Sequence, residues 1–368
     1  MTVTRQLHDL GQSIWLDNIT RGILDDGTLE RYIRQWSVTG LTSNPTIFDH
    51  AFKSGDAYDA AIRRESAAGK AGELLFFDLA IEDLQRAADL FRPIHDRTNG
   101  VDGWVSLEVS PLLAYDSNGT IDAAAELHGR AQRANLFIKI PGTAEGTAAI
   151  EASIFAGVPV NVTLLFSAAQ YLTASDAYMR GIERRIADGR DPRIGSVASI
   201  FVSRWDVAVK DTVPPALRNR LGIAIAKRTY REYRTVLASP RWRTLEAAGA
   251  QPQRLLWAST STKDPAAPDT LYVESLAAPD TINTMPGKTL AAFADHGRLS
   301  GALPVDGGDA EDELAEFARA GVNDATLAAQ LQREGAASFD ASWQDLVACL
   351  ATKRSTLTQP DRAAPRPS

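Results

Sequence analysis

The sequence predicts an α/β protein, a (β/α)8 TIM barrel of parallel strands wrapped in helices. Three observations carry this. Eight short apolar, β-branched runs bounded by turn residues recur along the chain. Helix-period patterns separate nearly all of them, which argues for a parallel sheet with helical crossovers. Eight such units suit a closed barrel, and 368 residues leave room for insertions. An open doubly wound sheet is the alternative that this pattern alone leaves standing.

In chain order the runs are 13–19 (SIWLDNI), 38–44 (VTGLTSN), 104–110 (WVSLEVS) and 135–141 (NLFIKIP). They continue with 159–166 (PVNVTLLF), 197–203 (VASIFVS), 254–260 (RLLWAST) and 281–286 (TINTMP). Helical patterns cover 27–35, 58–68, 74–90, 121–134, 144–156, 168–187 and 217–237. The second and third runs are separated by a long stretch with extra helices, and the link 260–281 reads as a Pro-rich loop. Beyond Pro286, helical patterns at 290–295, 311–319, 323–333 and 339–353 form a C-terminal layer on the barrel. Residues 1–356 are therefore expected to be one domain, and the Pro-rich residues 357–368 a disordered tail.

Composition narrows the function. Apolar residues make up 44% and charged residues 23%, enough for a large core. The net charge of -7 comes without a basic stripe, so nucleic acid is not an expected partner. The lone Cys349 argues against a disulfide framework or a thiolate metal cluster. No run of apolar residues is long enough to span a membrane, and the opening MTVTRQLHDLGQS lacks the apolar region of a secretory leader. The expectation is a cytoplasmic enzyme with no membrane partner. Its oligomeric state is left open, a homo-oligomer included.

Strand alternation shows where the chemistry sits. In 135–141, Leu136, Ile138 and Ile140 share one face, with Phe137 and Lys139 on the other. In 104–110, Val105, Leu107 and Val109 oppose Ser106, Glu108 and Ser110. In 159–166, Val160, Val162, Leu164 and Phe166 oppose Asn161 and Thr163. Asp17 shares a face with Trp15 and Ile19, so its direction is ambiguous. An unpaired buried charge is costly, so Asp17, Glu108 and Lys139 need each other, water or a ligand. A structural ion-pair network is the competing explanation. Their places near strand C-termini, where barrel enzymes keep their sites, favour catalysis.

A lysine in an apolar strand suggests covalent work, because desolvation favours the neutral amine that attacks carbonyls. With two carboxylates and the neutral groups of Asn44, Asn161, Thr163 and Ser199, the inventory suits Schiff-base chemistry on a ketose. One carboxylate would deprotonate a sugar hydroxyl and the other would orient a water. Arg204, directly after the sixth run, is the better candidate for a phosphate. Lys263, in the hydroxyl-rich loop after the seventh, is the other.

The motifs WLDNI (15–19), TSNPTIF (42–48), SLEVSP (106–111), FIKIPGT (137–143), NVTLLFS (161–167), SIFVSRWD (199–206), WASTSTKDP (257–265) and NTMPGKT (283–289) carry a resemblance. In order and spacing they closely resemble the transaldolase family of the pentose phosphate pathway, in its longer bacterial-type form, among the class I Schiff-base aldolases. The resemblance implies a metal-free transferase without cofactor, acting on phosphorylated sugars. It passes a dihydroxyacetone unit from sedoheptulose 7-phosphate to glyceraldehyde 3-phosphate, giving erythrose 4-phosphate and fructose 6-phosphate. By motif position it implies Lys139 as the Schiff-base lysine and Asp17 as the acid/base on the C4 hydroxyl. It implies Glu108 as the carboxylate holding a catalytic water, with Thr163 as its partner. Asn44 and Asn161 match dihydroxyacetone-binding residues, Ser199 and Phe201 line the site, and Arg204 matches a phosphate-binding arginine. Shorter members carry a second arginine near the seventh strand. Here STSTKDP has none, and Lys263 is the substitute.

A fructose 6-phosphate aldolase-like lyase is the nearest rival, but that relative carries Gln where this chain has Glu108 and Tyr where it has Phe201. A glycosidase barrel using Asp17 and Glu108 leaves Lys139 unexplained, and a non-catalytic barrel serving as scaffold or binding module predicts that Lys139→Ala leaves function intact. Other patterns are incidental. Gly287-Lys288-Thr289 lacks the earlier glycine of a phosphate loop, since position 282 is Ile282. The sequon at Asn161 falls on an expected buried strand. The five histidines show no metal spacing, and Ser167 reads as a helix cap.

Overall fold

The structure, a computed structural model, describes residues 2–358. Among these, eight strands form one parallel sheet: β1 (Gln12–Asp17), β2 (Val38–Thr42), β3 (Val105–Glu108), β4 (Leu136–Pro141), β5 (Val160–Leu165), β6 (Ser196–Phe201), β7 (Arg254–Ala258) and β8 (Thr281–Met285). Each lies within or one residue outside its expected run. The spatial order β2-β1-β8-β7-β6-β5-β4-β3 is that of a barrel opened along the β2/β3 seam. That seam is closed by single bonds: Leu41 N donates to Trp104 O (3.0 Å), Gly103 N to Thr39 O (3.0 Å) and Ser43 Oγ to Ser106 O (2.8 Å). Gly40 makes the approach feasible, because a Cβ there would stand 2.7 Å from both Trp104 O and the Trp15 ring.

Outward residues such as Val105, Leu107, Ile138, Ile140 and Val162 join the shell of helices in the main apolar cluster. Inward, Trp15, Trp104, Phe137, Leu256 and Ile282 pack together and fill the barrel. Trp104 stacks on Phe137 at 4.0 Å between ring centroids, and Trp15 tilts against Phe137 at 6.2 Å. Below them a polar knot seals the base. Asp102 accepts from Ser13 Oγ and from Trp15 Nε1 (2.8 Å), while Arg254 donates to Ser13 Oγ and Thr281 O, both at 2.8 Å. With its lower half filled, the barrel leaves its interior cavity at the C-terminal end of the strands.

Four sequence expectations need correction. First, the alternation in β5 breaks after Thr163. Leu164 takes a positive φ of 58° and the pairing with β6 slips between Val162 and Leu165. This bulge turns Leu165 outward and brings Leu164 and Phe166 into the inner cluster, not onto the outer face with Val160 and Val162. Second, the helices expected at 323–333 and 339–353 are one continuous helix, Asp324–Thr358. A single glycine, Gly335, costs a helix only about 1 kcal/mol and does not end it. Third, the link 260–281 contains a short helix, Leu271–Ser275. Fourth, residues 357 and 358, assigned to the tail, complete the terminal helix; the rest of that segment, 359–368, lies outside the described residues. The lone Cys349, on the terminal helix, is partly buried.

The long stretch between β2 and β3 holds the helices Pro45–Lys53, Asp59–Ala67 and Gly72–Arg97. The terminal helix is fastened to all three. Thr46 Oγ1 bonds Ser342 Oγ (2.9 Å), Lys353 pairs with Asp59 (2.9 Å), and Trp343 Nε1 donates to Glu73 Oε1 (2.8 Å). No helix among the described residues is long and apolar enough to cross a membrane.

Candidate active site

Lys139 points inward from β4, one step above Phe137 in the barrel filling. Its Nζ donates to Glu108 Oε2 (3.1 Å) and to the backbone carbonyl of Ser43 (3.2 Å). The pairing is built by register, since Glu108 on β3 and Lys139 on β4 are ladder partners. Both side chains are nearly sealed from solvent, at 7% and 4% exposure. Burial pushes the Glu108 carboxyl above the usual carboxylate range, against the opposing pull of the Lys139 ammonium.

Asp17 ends β1 across the barrel from this pair. It is surrounded by protein yet keeps some surface on the cavity. Thr42 Oγ1 donates to Asp17 Oδ1 (2.7 Å) and also meets Thr284 Oγ1 (2.7 Å). Burial raises the Asp17 carboxyl too, while Lys139, the Thr42 bond and Lys263 pull it down. Two carboxyl groups with raised proton affinity beside one amine are suited to general acid and base work near neutrality.

These groups meet a cavity of about 150 Å³ at the C-terminal mouth of the barrel. Of the residues expected from sequence, Asp17, Asn44, Lys139, Thr163, Ser199, Phe201, Arg204 and Lys263 line it. Glu108 and Asn161 stand one contact behind. Asn161 donates to Ser106 Oγ (3.1 Å) and accepts from Ser199 Oγ (2.7 Å), so Ser199 presents it to the cavity indirectly. Asn44 Oδ1 caps the helix Pro45–Lys53 by accepting from Ile47 N (3.0 Å), which leaves its amide donors for a ligand. Thr163 Oγ1 and Glu108 Oε1 are buried without a protein hydrogen-bond partner. Ser167 does cap the helix after β5, accepting from Gln170 N (3.2 Å).

Arg204 lies just past β6, with its guanidinium carbon 5.0 Å from the Phe201 ring and 5.7 Å from the Phe339 ring. Burial lowers its proton affinity and the Glu108 charge raises it. Among the described residues it has no ion-pair partner within 4 Å, which suits a guanidinium waiting for an anion. Lys263 is exposed at the rim, its Nζ bonded to Ser261 Oγ.

Sequence reasoning missed several lining residues: Thr42, Thr284, Ser259, Ser261 and above all Phe339 from the terminal helix. The threonines stood inside recognised motifs. Phe339 shares a helical face with Gln332 and Ala336, a spacing legible as a face but silent about what it covers. Larger hollows, of about 460 Å³ beside His95, His128 and Trp104 and about 470 Å³ beside Gln12 and Asp102, open at the opposite end of the strands. That end of a barrel serves stability and not chemistry.

The family model described as Transaldolase/Fructose-6-phosphate aldolase matches residues 14–350. A protein named Transaldolase from Arthrobacter sp. (strain FB24) is 44% identical over 94% of this chain and 96% of its own. One of the same name from Thiobacillus denitrificans is 45% identical over 95% and 99%, and one from Neisseria gonorrhoeae 43% over 95% and 100%. With a barrel of eight parallel strands, an inward lysine and a match over almost its whole length, the chain belongs to the transaldolase/fructose-6-phosphate aldolase family.

Proposed function

We propose that this enzyme is a transferase that moves a dihydroxyacetone unit from sedoheptulose 7-phosphate to glyceraldehyde 3-phosphate through an imine on Lys139. The observation that carries the reading is the placement of Lys139. Its amine is held between a carboxylate and a carbonyl, at the floor of a cavity whose wall includes an arginine with no ion-pair partner among the described residues.

Lys139 attacks the C2 ketone. Glu108, with a water shared between its Oε1 and Thr163 Oγ1, moves the protons that expel hydroxide as water. The unpartnered state of both atoms supports that role. Asp17 then takes the C4 hydroxyl proton, the C3–C4 bond breaks into the iminium, and the aldose leaves. The three-carbon enamine stays on Lys139 until an aldehyde arrives, Asp17 returns the proton to the new hydroxyl, and water added back to C2 breaks the carbon–nitrogen bond, freeing the ketose and restoring the amine. Asn44 holds the hydroxyls of the three-carbon unit directly, and Asn161 does so through Ser199. Phe201 walls the site. Arg204 binds the phosphate, with Lys263 as a weaker second cation at the rim.

The lyase named in the family description would release free dihydroxyacetone. Glu108 and Phe201 favour the transferase. We further take the barrel and its terminal helix as one domain acting in the cytoplasm, a reading supported by the terminal helix tied to the β2–β3 stretch and by the single cysteine.

The test is borohydride reduction in the presence of fructose 6-phosphate, followed by peptide mass mapping. A stable adduct on the Lys139 peptide is expected. Label on another lysine, or active protein without label, overturns the assignment.

A further inference from the structure

The cavity is roofed by Phe339 on the terminal helix, 176 residues downstream of Thr163, the last proposed catalytic group in chain order. Phe339 is 5% exposed, and its ring lies 5.7 Å from Lys139 Nζ and 5.7 Å from the Arg204 guanidinium carbon. One ring therefore faces both the amine that would carry the three-carbon unit and the cation that would hold the phosphate. The space beneath it is where the enamine carbon and an incoming aldehyde must meet.

Two further contacts hold the ring there. Gln332, two turns earlier on the same helix, donates from Nε2 to Gly142 O (2.8 Å) and to Leu164 O (2.9 Å). The first carbonyl follows β4, the strand of Lys139. The second belongs to the bulge of β5, whose positive φ interrupts the pairing there. Between them, Gly335 lets the helix sit close, since a Cβ there would meet Leu164 Cδ2 at 2.9 Å and Arg204 Nη1 at 3.2 Å. The rest of the helix is anchored on the β2–β3 helices, so the roof is fixed at both ends.

We propose that Phe339 determines the fate of the enamine, with Gln332 as the residue that positions it. This rests on the Lys139 reading above and deepens it. The enamine has two exits. In transfer, its nucleophilic carbon forms a bond to the aldehyde carbon, and the aldehyde oxygen takes a proton. In release, that carbon takes a proton instead; water then adds to C2, the carbon–nitrogen bond breaks, and dihydroxyacetone leaves with the amine restored. Transfer needs water kept away while the aldose site stands empty. An apolar ring over the amine does this without offering a proton.

The experiment measures a partition ratio: free dihydroxyacetone released per unit transferred to erythrose 4-phosphate, counted as sedoheptulose 7-phosphate, starting from fructose 6-phosphate. The ratio does not depend on how much total activity a variant keeps. For Phe339→Ala it is expected to rise on the order of tenfold, as for a reactive intermediate that loses its cover from water. Phe339→Leu, which keeps an apolar side chain in the core, gives an intermediate ratio and covers the case in which the alanine variant fails to fold. Gln332→Ala, remote from the reacting atoms, shifts the ratio in the same direction. An unchanged ratio in Phe339→Leu and Gln332→Ala, with both products slowed alike, overturns the proposal and leaves the ring as packing. Failure of borohydride to label Lys139 in the unmodified protein overturns the underlying reading instead, so the two failures are told apart.

Discussion

Lys139 Nζ lies 3.1 Å from Glu108 Oε2, and the two residues are ladder partners on neighbouring parallel strands. Strand register alone therefore sets the amine–carboxylate distance. Removing one member of such a buried pair leaves the other uncompensated. Lys139→Met is expected to lose transfer and borohydride labelling together. It also removes the cation that opposes burial at Glu108, whose carboxyl is already raised. A raised acid stabilises the fold below its unfolded value and loses that contribution as pH climbs through the folded one. The variant's melting temperature should thus fall more steeply than the parent's as pH rises above the ordinary carboxylate range. Parallel curves would show that Glu108 does not feel the lysine.

Asp17 and Glu108 are assigned to different steps, and their variants should separate. Asp17→Asn is expected to lower kcat by about 10²–10⁴-fold while a six-carbon adduct still accumulates on Lys139. Glu108→Gln is expected to slow adduct formation itself. Rapid borohydride quenching, with the mass of the adduct read at each time, distinguishes them. Equal adduct kinetics in the two variants would erase the division of labour.

Arg204→Ala should raise KM for fructose 6-phosphate far more than for unphosphorylated fructose. A lost hydrogen-bonded charge contact costs about 1.5–3 kcal/mol, roughly a 10- to 150-fold loss in kcat/KM on the phosphorylated substrate alone. Lys263→Ala, exposed at the rim, should cost much less. A uniform loss on both ketoses in Arg204→Ala would speak against phosphate binding there.

Asp206, two residues beyond Arg204, is buried and accepts from Leu221 N (2.9 Å), Gly222 N (3.2 Å) and Tyr272 Oη (2.9 Å). Burial outweighs these bonds and pushes its carboxyl from 3.8 up to about 6. The folded chain then binds more protons than the unfolded one between those values. This contribution to stability, about 3 kcal/mol in total, is complete in acid and gone once pH exceeds the folded value. Asp206→Asn should flatten the stability curve between about pH 4 and pH 7, as read by urea unfolding at fixed pH steps. An undiminished slope would refute the assignment.

Gly40→Ala places a methyl 2.7 Å from Trp104 O and from the Trp15 ring, at the seam that closes the barrel. Overpacking of this kind costs about 1–3 kcal/mol. The expected result is a lowered melting temperature with the Lys139 adduct still formed in the folded fraction. Unchanged stability would mean that the β2/β3 seam has slack.

The eight strands, and the inward direction of Lys139, Glu108 and Thr163, were legible because strand alternation is local, with a period of two that any stretch of chain reveals. The sequence alone thus determined which strands carry ionisable groups and which family's motifs they spell. Where alternation fails, at the β5 bulge, Leu164 and Phe166 reversed direction, because one residue at positive φ shifts every side chain after it. Asp17 could not be oriented from its neighbours, since Trp15 beside it is apolar yet fills the barrel interior. The closing β2/β3 seam, the placement of Phe339 over both Lys139 and Arg204, and the Gln332 tether were decided by the tertiary structure. Each joins segments distant along the chain, and a helical face records that it will be buried without recording against what.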